Sequence, residues 1–310
     1  MFILSTGVFL LVLSLMLYGL FRSRPQQVQV VRGAADAMPA DLIPAQEVQN
    51  TRYTNRWIIL GGIVMPSIVL AIVFGFTIRS AAFIANEGDT DMLTVEVIGR
   101  RWWWEVNYPD HSVVTANEIH VPVGVPVEFR LLSGDVIHSF WVPQLAGKMD
   151  MVPGVENTLV LQADEPGVYR GECAEFCGLQ HARMQFLVVA QSTEEFDQWV
   201  AAQQQDAAPA ENEDAQRGQE VFISAGCVYC HVIRGLDSGD VDRSQNDLGP
   251  DLTHLASRMT IAAGIRDNNR GNLGGWIANP HGIKPGVLMP ATVLSGADLQ
   301  ALLTYLETLE

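Results

Sequence analysis

The sequence predicts a multi-domain membrane protein with two N-terminal transmembrane helices, an all-β domain and an all-α domain. Three observations favour this fold class. Two long apolar runs lie near the start of the 310-residue chain, a region of short alternating strands follows them, and the C-terminal third has helical periodicity. We expect the helical hairpin over 1–79, the β domain over 80–200, a linker over 201–215 and the all-α domain over 216–310. The small, polar and acidic residues of 201–215 predict a flexible tether.

Each apolar run is long enough to cross a bilayer as a helix, and we place the helices at about 2–21 and 57–78. Pro66 should kink the second helix. A cleaved signal peptide is the alternative for the first run, which lacks a basic leading segment and a clear cleavage site. Arginines outnumber acidic residues between the runs, so the positive-inside rule predicts a bacterial plasma-membrane protein with its C-terminal domains in the periplasm.

The chain carries a net charge of −16, and most of its acidic residues follow the apolar runs. A strongly acidic surface disfavours nucleic acid as a partner and attracts basic proteins. The sequence therefore favours a basic periplasmic partner over nucleic acid. The alternative is that the acidic side chains are scattered over the surface and only keep the protein soluble.

The β domain is indicated by six runs that are β-branched or alternate between apolar and polar residues. They are separated by Gly, Pro and Asp turn signals, which is typical of a sandwich or barrel. Pro122 and Pro126 should mark strand ends. The six predicted strands are 94–98, 118–123, 125–132, 157–162, 167–172 and 185–189.

All four cysteines fall in two cofactor-binding motifs, which leaves none for a disulfide. In the first motif, Cys173 and Cys177 share one loop with His181 and Met184, and His138 stands at the end of an earlier strand pair. Two thiolates with three residues between them can bridge a pair of soft metal ions, with imidazoles and a weak thioether completing the coordination. Zinc sites have no use for a methionine, and a disulfide would leave His181 and Met184 without a task.

The second motif, Cys227-Val228-Tyr229-Cys230-His231, is typical of covalent attachment of a c-type haem. The two thiols add to the haem, and His231 becomes the proximal iron ligand. Met289 and Met259 are the candidates for the sixth ligand. Met289 is favoured because it lies late in a loop before the terminal helix, whereas Met259 is expected to pack in the core or at the haem edge.

Residues 1–200 resemble subunit II of haem–copper cytochrome c oxidase, on the segments Asp135–Pro143 and Gly171–Met184. The resemblance implies a cupredoxin-like domain holding the dinuclear copper centre CuA, and Trp102 as the point where electrons enter. It also implies that the Glu175 carboxylate faces a magnesium ion at the boundary with subunit I. The implied copper ligands are the side chains of His138, Cys173, Cys177, His181 and Met184 and the backbone carbonyl of Glu175.

Two of these implied roles have simpler alternatives. The Glu175 carboxylate could be merely solvated, and Trp102 and its two neighbours could form an interfacial aromatic belt. The chain also departs from the family at one point, because many members carry a glutamate just before the second helix. Here Thr54 stands near that place, which puts this subunit's part in proton uptake in doubt.

Residues 211–310 resemble class I cytochromes c, in which a proline carbonyl, here that of Pro250, holds the proximal histidine. Together the resemblances imply the electron-input subunit of a proton-translocating cytochrome c oxidase. Electrons would pass from a basic periplasmic donor, such as a cytochrome, to haem c, then to CuA and on to the haem a and copper site of subunit I, with subunit III as a further partner. No catalytic oxygen-reducing residue is expected in this chain. The alternative function is a membrane-tethered electron carrier that serves no oxidase.

Nitrous oxide reductase and quinol oxidase are disfavoured. The first is soluble and needs a histidine-rich copper cluster, for which seven histidines do not suffice. In the second, the copper ligands that this sequence carries are missing.

Overall fold

The computed structural model describes residues 2–21, 56–85, 92–238 and 248–310. The chain divides into two compact units, residues 1–89 and 90–310. The arginine-rich loop between the two apolar runs, including Thr54, lies outside the described residues.

The first unit contains two apolar helices, α1 (Phe2–Phe21) and α2 (Met65–Ala85). A π-helical turn, Leu60–Val64, leads directly into α2. Pro66 has no N–H to donate, and its ring crowds the carbonyl four residues earlier, so the regular hydrogen-bond ladder cannot run through this point. The helix therefore widens next to the proline, and it continues past the predicted end at residue 78.

Among the described residues, one helix, Arg56–Ala82, is long and apolar enough to cross a membrane. The apolar helical segment in α1 is shorter and comprises Thr6–Leu15. Helical structure over residues 2–21 agrees with the sequence analysis, whereas a second transmembrane span stays a prediction.

The second unit begins with a sandwich of two five-stranded sheets. One has the order β3-β2-β1-β5-β8 and the other β4-β10-β9-β6-β7. Alternate residues of β1 and β10 are buried, and the inward residues of both sheets form one hydrophobic core. The strands are β1 (Leu93–Arg100), β2 (Trp103–Tyr108), β3 (Val113–Ala116), β4 (Glu118–Pro122), β5 (Val127–Ser133), β6 (His138–Trp141), β7 (Met149–Met151), β8 (Asn157–Leu161), β9 (Gly167–Cys173) and β10 (Gln185–Gln191).

All six predicted strands are present, and the sandwich is confirmed. Pro122 ends β4 and Pro126 stands just before β5, as expected for residues that cannot donate to a ladder. The prediction missed β2, β3, β6 and β7, which are three to six residues long. Such short segments are held by their partners in the sheet rather than by a pattern of their own.

The C-terminal part is mainly helical. Helix α4 crosses α7 so closely that a Cβ atom at Gly218 would lie 2.0 Å from the Ala301 carbonyl oxygen, so only glycine fits there. Leu302, Leu303 and Leu306 are buried in this core, as predicted. The elements are α3 (Thr193–Gln203), α4 (Glu213–Ser224), α5 (Arg270–Ala278), α6 (Pro280–Ile283) and α7 (Gly296–Leu306), with a small hairpin of β11 (Thr260–Ile261) and β12 (Arg266–Asp267).

Three helix predictions from the sequence were wrong: a start at Arg217, a continuation of that helix into the Cys227 motif, and a helical stretch from Leu252 to Met259. Helix α4 begins at Glu213 and ends before the Cys227 motif, and residues 252–259 are not helical. Glu213 has the stronger start signal, because the Asn212 side chain accepts the Ala215 backbone N–H at 2.8 Å.

The linker is shorter and more ordered than its composition predicted. Helix α3 extends to residue 203 and helix α4 begins at residue 213, so residues 204–212 are the part of 201–215 without helix or strand. The Gln205 carbonyl accepts hydrogen bonds from Arg234 at 2.9 Å and His254 at 3.1 Å, and the Ala207 N–H donates to the Arg234 carbonyl at 3.0 Å. The expectation of a flexible tether was wrong for this segment, because its backbone groups are bound by the domain that follows.

Candidate metal centre and haem pocket

The ligand-type side chains of the first cysteine motif meet at one end of the sandwich. Strand β6 carries His138, Cys173 ends β9, and the loop between β9 and β10 carries the remaining residues of the motif. The two cysteine sulfurs are 3.7 Å apart, and His138 Nδ1 lies 3.9 Å from the Cys173 sulfur. His181 Nδ1 and the Met184 sulfur each lie 3.8 Å from the Cys177 sulfur. All five side chains predicted as ligands are therefore brought together.

The two thiols form a pair that favours a bound cation. A disulfide requires sulfurs about 2.05 Å apart, so these cysteines are free. A hydrogen bond from Cys177 lowers the pKa of Cys173 to about 3, and the same bond to the neighbouring thiolate raises the pKa of Cys177 far above its usual range. Both sulfurs can become thiolates at neutral pH only if a positive ion lies between them. The site therefore fits soft metal ions.

His138 is oriented by a carboxylate on its far side. Its Nε2 lies 2.8 Å from Asp135 Oδ1, and the other carboxylate oxygen, Oδ2, accepts the Arg101 backbone N–H at 2.7 Å. Burial alone would lower the pKa of His138, but hydrogen bonds to Asp135 and Cys173 outweigh it and raise the pKa. A carboxylate behind a histidine fixes its tautomer and leaves the other nitrogen, here Nδ1, for a metal. The close passage of β1 requires Gly99, whose Cβ would lie 2.8 Å from the His138 ring.

Glu175 directs its backbone and its side chain to different places. Its carbonyl oxygen lies 3.2 Å from the Cys173 sulfur, within the same cluster. Its carboxylate is about half exposed and lies 3.5 Å from the Lys148 ammonium. The backbone carbonyl is thus available to a metal bound by the thiolates, and the carboxylate is available to a second, external cation.

Trp102 connects the metal centre to the rest of the domain. Its indole is buried, and Nε1 donates a hydrogen bond to the Cys177 carbonyl at 2.9 Å. Trp104 is also buried, in the core between the sheets. The alternative of an interfacial belt is therefore wrong for these two side chains.

The second cysteine motif lines a largely apolar cavity of about 260 Å³. Cys227 opens a short 3₁₀ turn after Gly226, which takes the left-handed conformation at φ 81°. The Cys230 and His231 backbone N–H groups both donate to the Cys227 carbonyl, at 3.1 and 3.0 Å. This turn directs the two sulfurs and the imidazole toward the same cavity.

The cavity fits a haem held by His231 and Met289. His231 Nδ1 lies 2.8 Å from the Pro250 carbonyl oxygen, so this nitrogen carries the proton and Nε2 is left for iron. Burial lowers the pKa of His231, which keeps the imidazole neutral. Met289 lines the cavity. Met259 is 41% exposed, so the expectation that it packs in the core was wrong.

One wall of this cavity comes from the β sandwich, which the sequence analysis did not foresee. Trp102, Trp103 and Asn117 line it together with the haem motif. Trp102 thus borders the cavity and at the same time donates to the Cys177 carbonyl of the metal centre. The sequence analysis also missed Lys284, a buried lysine of the cavity wall, and no local pattern marks it.

Comparisons with known proteins match both domains. The family "Cytochrome C oxidase subunit II, periplasmic domain" matches residues 111–192, and "Cytochrome c" matches residues 215–310. Cytochrome c oxidase subunit 2 of Alkalihalophilus pseudofirmus is 36% identical over 87% of this chain and 77% of its own length. The Bacillus subtilis protein of the same name is 31% identical over 91% and 81%. The periplasmic domain of subunit II of cytochrome oxidase from Bradyrhizobium japonicum is 30% identical over 36% of this chain and 92% of its own, with a TM-score of 0.35.

Fold and sites define a haem–copper oxidase subunit with a cupredoxin-like periplasmic domain and a cytochrome c domain. The chain belongs to the cytochrome c oxidase subunit 2 family. Membership implies CuA copper at the thiolate cluster, haem c in the cavity and a role in electron transfer within a membrane-associated complex.

Proposed function

We propose that this chain receives electrons at haem c, passes them to a dinuclear CuA centre and delivers them to the oxygen-reducing site of subunit I. When bound, the two copper ions and the covalent haem supply one-electron redox chemistry. The protein supplies ligands, a fixed separation and a barrier to water.

The observation that carries this proposal is the position of Trp102. Trp102 borders the haem cavity, and its indole N–H donates to the carbonyl of Cys177, a proposed thiolate ligand of the copper cluster. A buried residue that adjoins both sites favours electron transfer between them over two independent redox functions. We therefore assign Trp102 as the point where electrons from the haem enter the copper domain.

The ligand assignment follows the convergence of donor atoms. We propose His138, Cys173, Cys177, His181 and Met184 as side-chain ligands of CuA, with the Glu175 carbonyl as the sixth. Soft sulfur donors combined with imidazoles suit copper. Cys227 and Cys230 would hold the haem covalently, with His231 and Met289 as axial ligands, a pair that raises the haem potential.

The outward-facing groups of the copper loop suit contact with a partner. Phe176 is 75% exposed, and the Glu175 carboxylate beside it is available to a cation. We propose that this end of the loop faces subunit I, with magnesium at Glu175 and with subunit III in the same complex. Two N-terminal membrane helices would anchor the chain, with both redox domains on the periplasmic side and a basic protein as electron donor.

Metal and haem analysis of the purified complex tests the proposal. Two coppers with a mixed-valence electron paramagnetic resonance signal and one haem c per chain are expected, together with copurifying subunit I. One zinc in place of copper would contradict the copper assignment. Purification of the loaded chain without any oxidase subunit would favour the alternative of a tethered electron carrier.

A further inference from the structure

Lys284 lies in the loop that carries Met289, and it is almost fully buried, with 1% of its surface exposed. Its amino group donates to the Trp102 carbonyl at 2.9 Å and to the Ala262 carbonyl at 3.3 Å. The first acceptor belongs to the copper domain and the second to the cytochrome domain. In the described part of the chain no carboxylate forms an ion pair with it. A buried amine without a counter-ion is costly and persists only where its hydrogen bonds are specific.

Other polar contacts join the same two domains around Lys284. The Thr260 N–H donates to the buried Glu118 carboxylate at 2.8 Å, and the Gln185 N–H donates to the Ala263 carbonyl at 3.1 Å. Arg183 donates to the Ile283 carbonyl at 2.6 Å, one residue before Lys284. Since these polar groups find partners on the opposite side, the boundary has the character of a fixed interface.

We propose that Lys284 is a positioning residue for electron transfer from the haem to the copper centre. It fastens the Met289 loop to the backbone of Trp102, and so holds the haem cavity against the one side chain that also contacts the copper cluster. This inference rests on the proposed function. It replaces a swinging tether by a fixed arrangement, in which the distance between the redox sites is set by folding.

Lys284→Met tests the proposal in the complete, cofactor-loaded complex, because methionine keeps the length and apolar stem of the side chain. Loss of a buried hydrogen bond that holds two domains should reduce amide protection at Thr260 and Gln185 by roughly tenfold to a hundredfold. Haem-to-copper electron transfer should slow, while the copper resonance signal, the haem spectrum and haem reduction by an external donor stay unchanged. Arg217→Gln removes a cation from an exposed site of the same domain and should change none of these values.

The outcomes separate the two proposals. Unchanged protection and unchanged transfer in Lys284→Met would overturn the positioning role and leave the proposed function intact. Absence of haem-to-copper transfer in the unmodified protein would overturn the proposed function itself. Altered haem or copper spectra in Lys284→Met would also contradict positioning, because they would indicate a role in building a cofactor site.

A second measurement needs no variant, because the chain contains only two lysines, Lys148 and Lys284. Lys148 lies beside Glu175, at the end of the loop proposed to face subunit I, so the reference is Lys284 itself in the unfolded complex. Acylation followed by mass spectrometry should leave Lys284 unmodified in the intact complex and modify it after unfolding. Comparable modification of Lys284 before and after unfolding would show that the interface opens readily and would overturn a fixed arrangement.

Discussion

Trp102→Phe should disturb the copper centre and the internal electron transfer without unfolding the domain. The substitution keeps a buried aromatic ring and deletes the indole N–H that donates to the Cys177 carbonyl at 2.9 Å. That carbonyl belongs to a proposed copper ligand, so its orientation bears on the position of the sulfur. The haem cavity also loses part of the wall that Trp102 provides.

The expected loss of stability follows from two contributions. Leaving a buried acceptor without its donor costs about 1–3 kcal/mol. The phenylalanine ring is smaller than the indole and leaves a small cavity, and the loss of stability increases with the volume of that cavity. We therefore expect the copper domain to stay folded, since a change of this size lies within the stability of an ordinary domain, about 5–15 kcal/mol.

Trp104→Phe is the matched control. Its indole is equally buried, but its Nε1 has no hydrogen-bond partner among the described residues. Both variants should lower the unfolding temperature, whereas only Trp102→Phe should alter the copper resonance signal and slow haem-to-copper transfer. Equal effects of the two variants on signal and transfer, or no effect of Trp102→Phe on either, would refute the role assigned to Trp102.

Three further predictions concern the two sites and their interface. Asp135→Asn should weaken copper affinity roughly 10- to 100-fold by releasing His138, as measured by competition with a copper chelator; unchanged affinity would contradict the orienting role. Met289→Leu should lower the haem potential and change the haem spectrum, whereas Met259→Leu should change neither. The opposite result would contradict Met289 as the sixth iron ligand and favour Met259. Burial lowers the pKa of Lys284 from its usual 10.5 to about 7. Between these two values the exposed amine of an open interface keeps its proton, whereas the buried amine of the closed interface has lost it. Raising the pH therefore stabilises the closed interface, and amide protection at Thr260, corrected for intrinsic exchange, should rise from pH 7 toward pH 10. A flat profile, or a rise that persists in Lys284→Met, would contradict this assignment.

Most of the candidate copper ligands could be grouped from the sequence because they are local. Cys173 ends β9, and Cys177, His181 and Met184 follow it within eleven residues, so their spacing already favours a cluster. The Cys227 motif is likewise a single turn. The chemistry of thiolate, imidazole and thioether is specific enough to indicate metal binding before any fold is known.

The interface between the domains could not be predicted in this way. Lys284 binds the backbone carbonyl of Trp102, 182 residues earlier in the chain, and a carbonyl has no sequence signature. The linker illustrates the same limit. Its small polar residues predicted a flexible tether, yet Arg234 and His254 bind its Gln205 carbonyl, and neither contact depends on the identity of the linker side chains.

Time-resolved absorption after photoreduction of the haem in the purified complex tests the central claim most directly. Oxidation of the haem and reduction of the copper centre should proceed with the same first-order rate constant, independent of protein concentration. A haem that stays reduced while the copper centre is oxidised and intact, or a rate proportional to protein concentration, would contradict electron transfer within this chain.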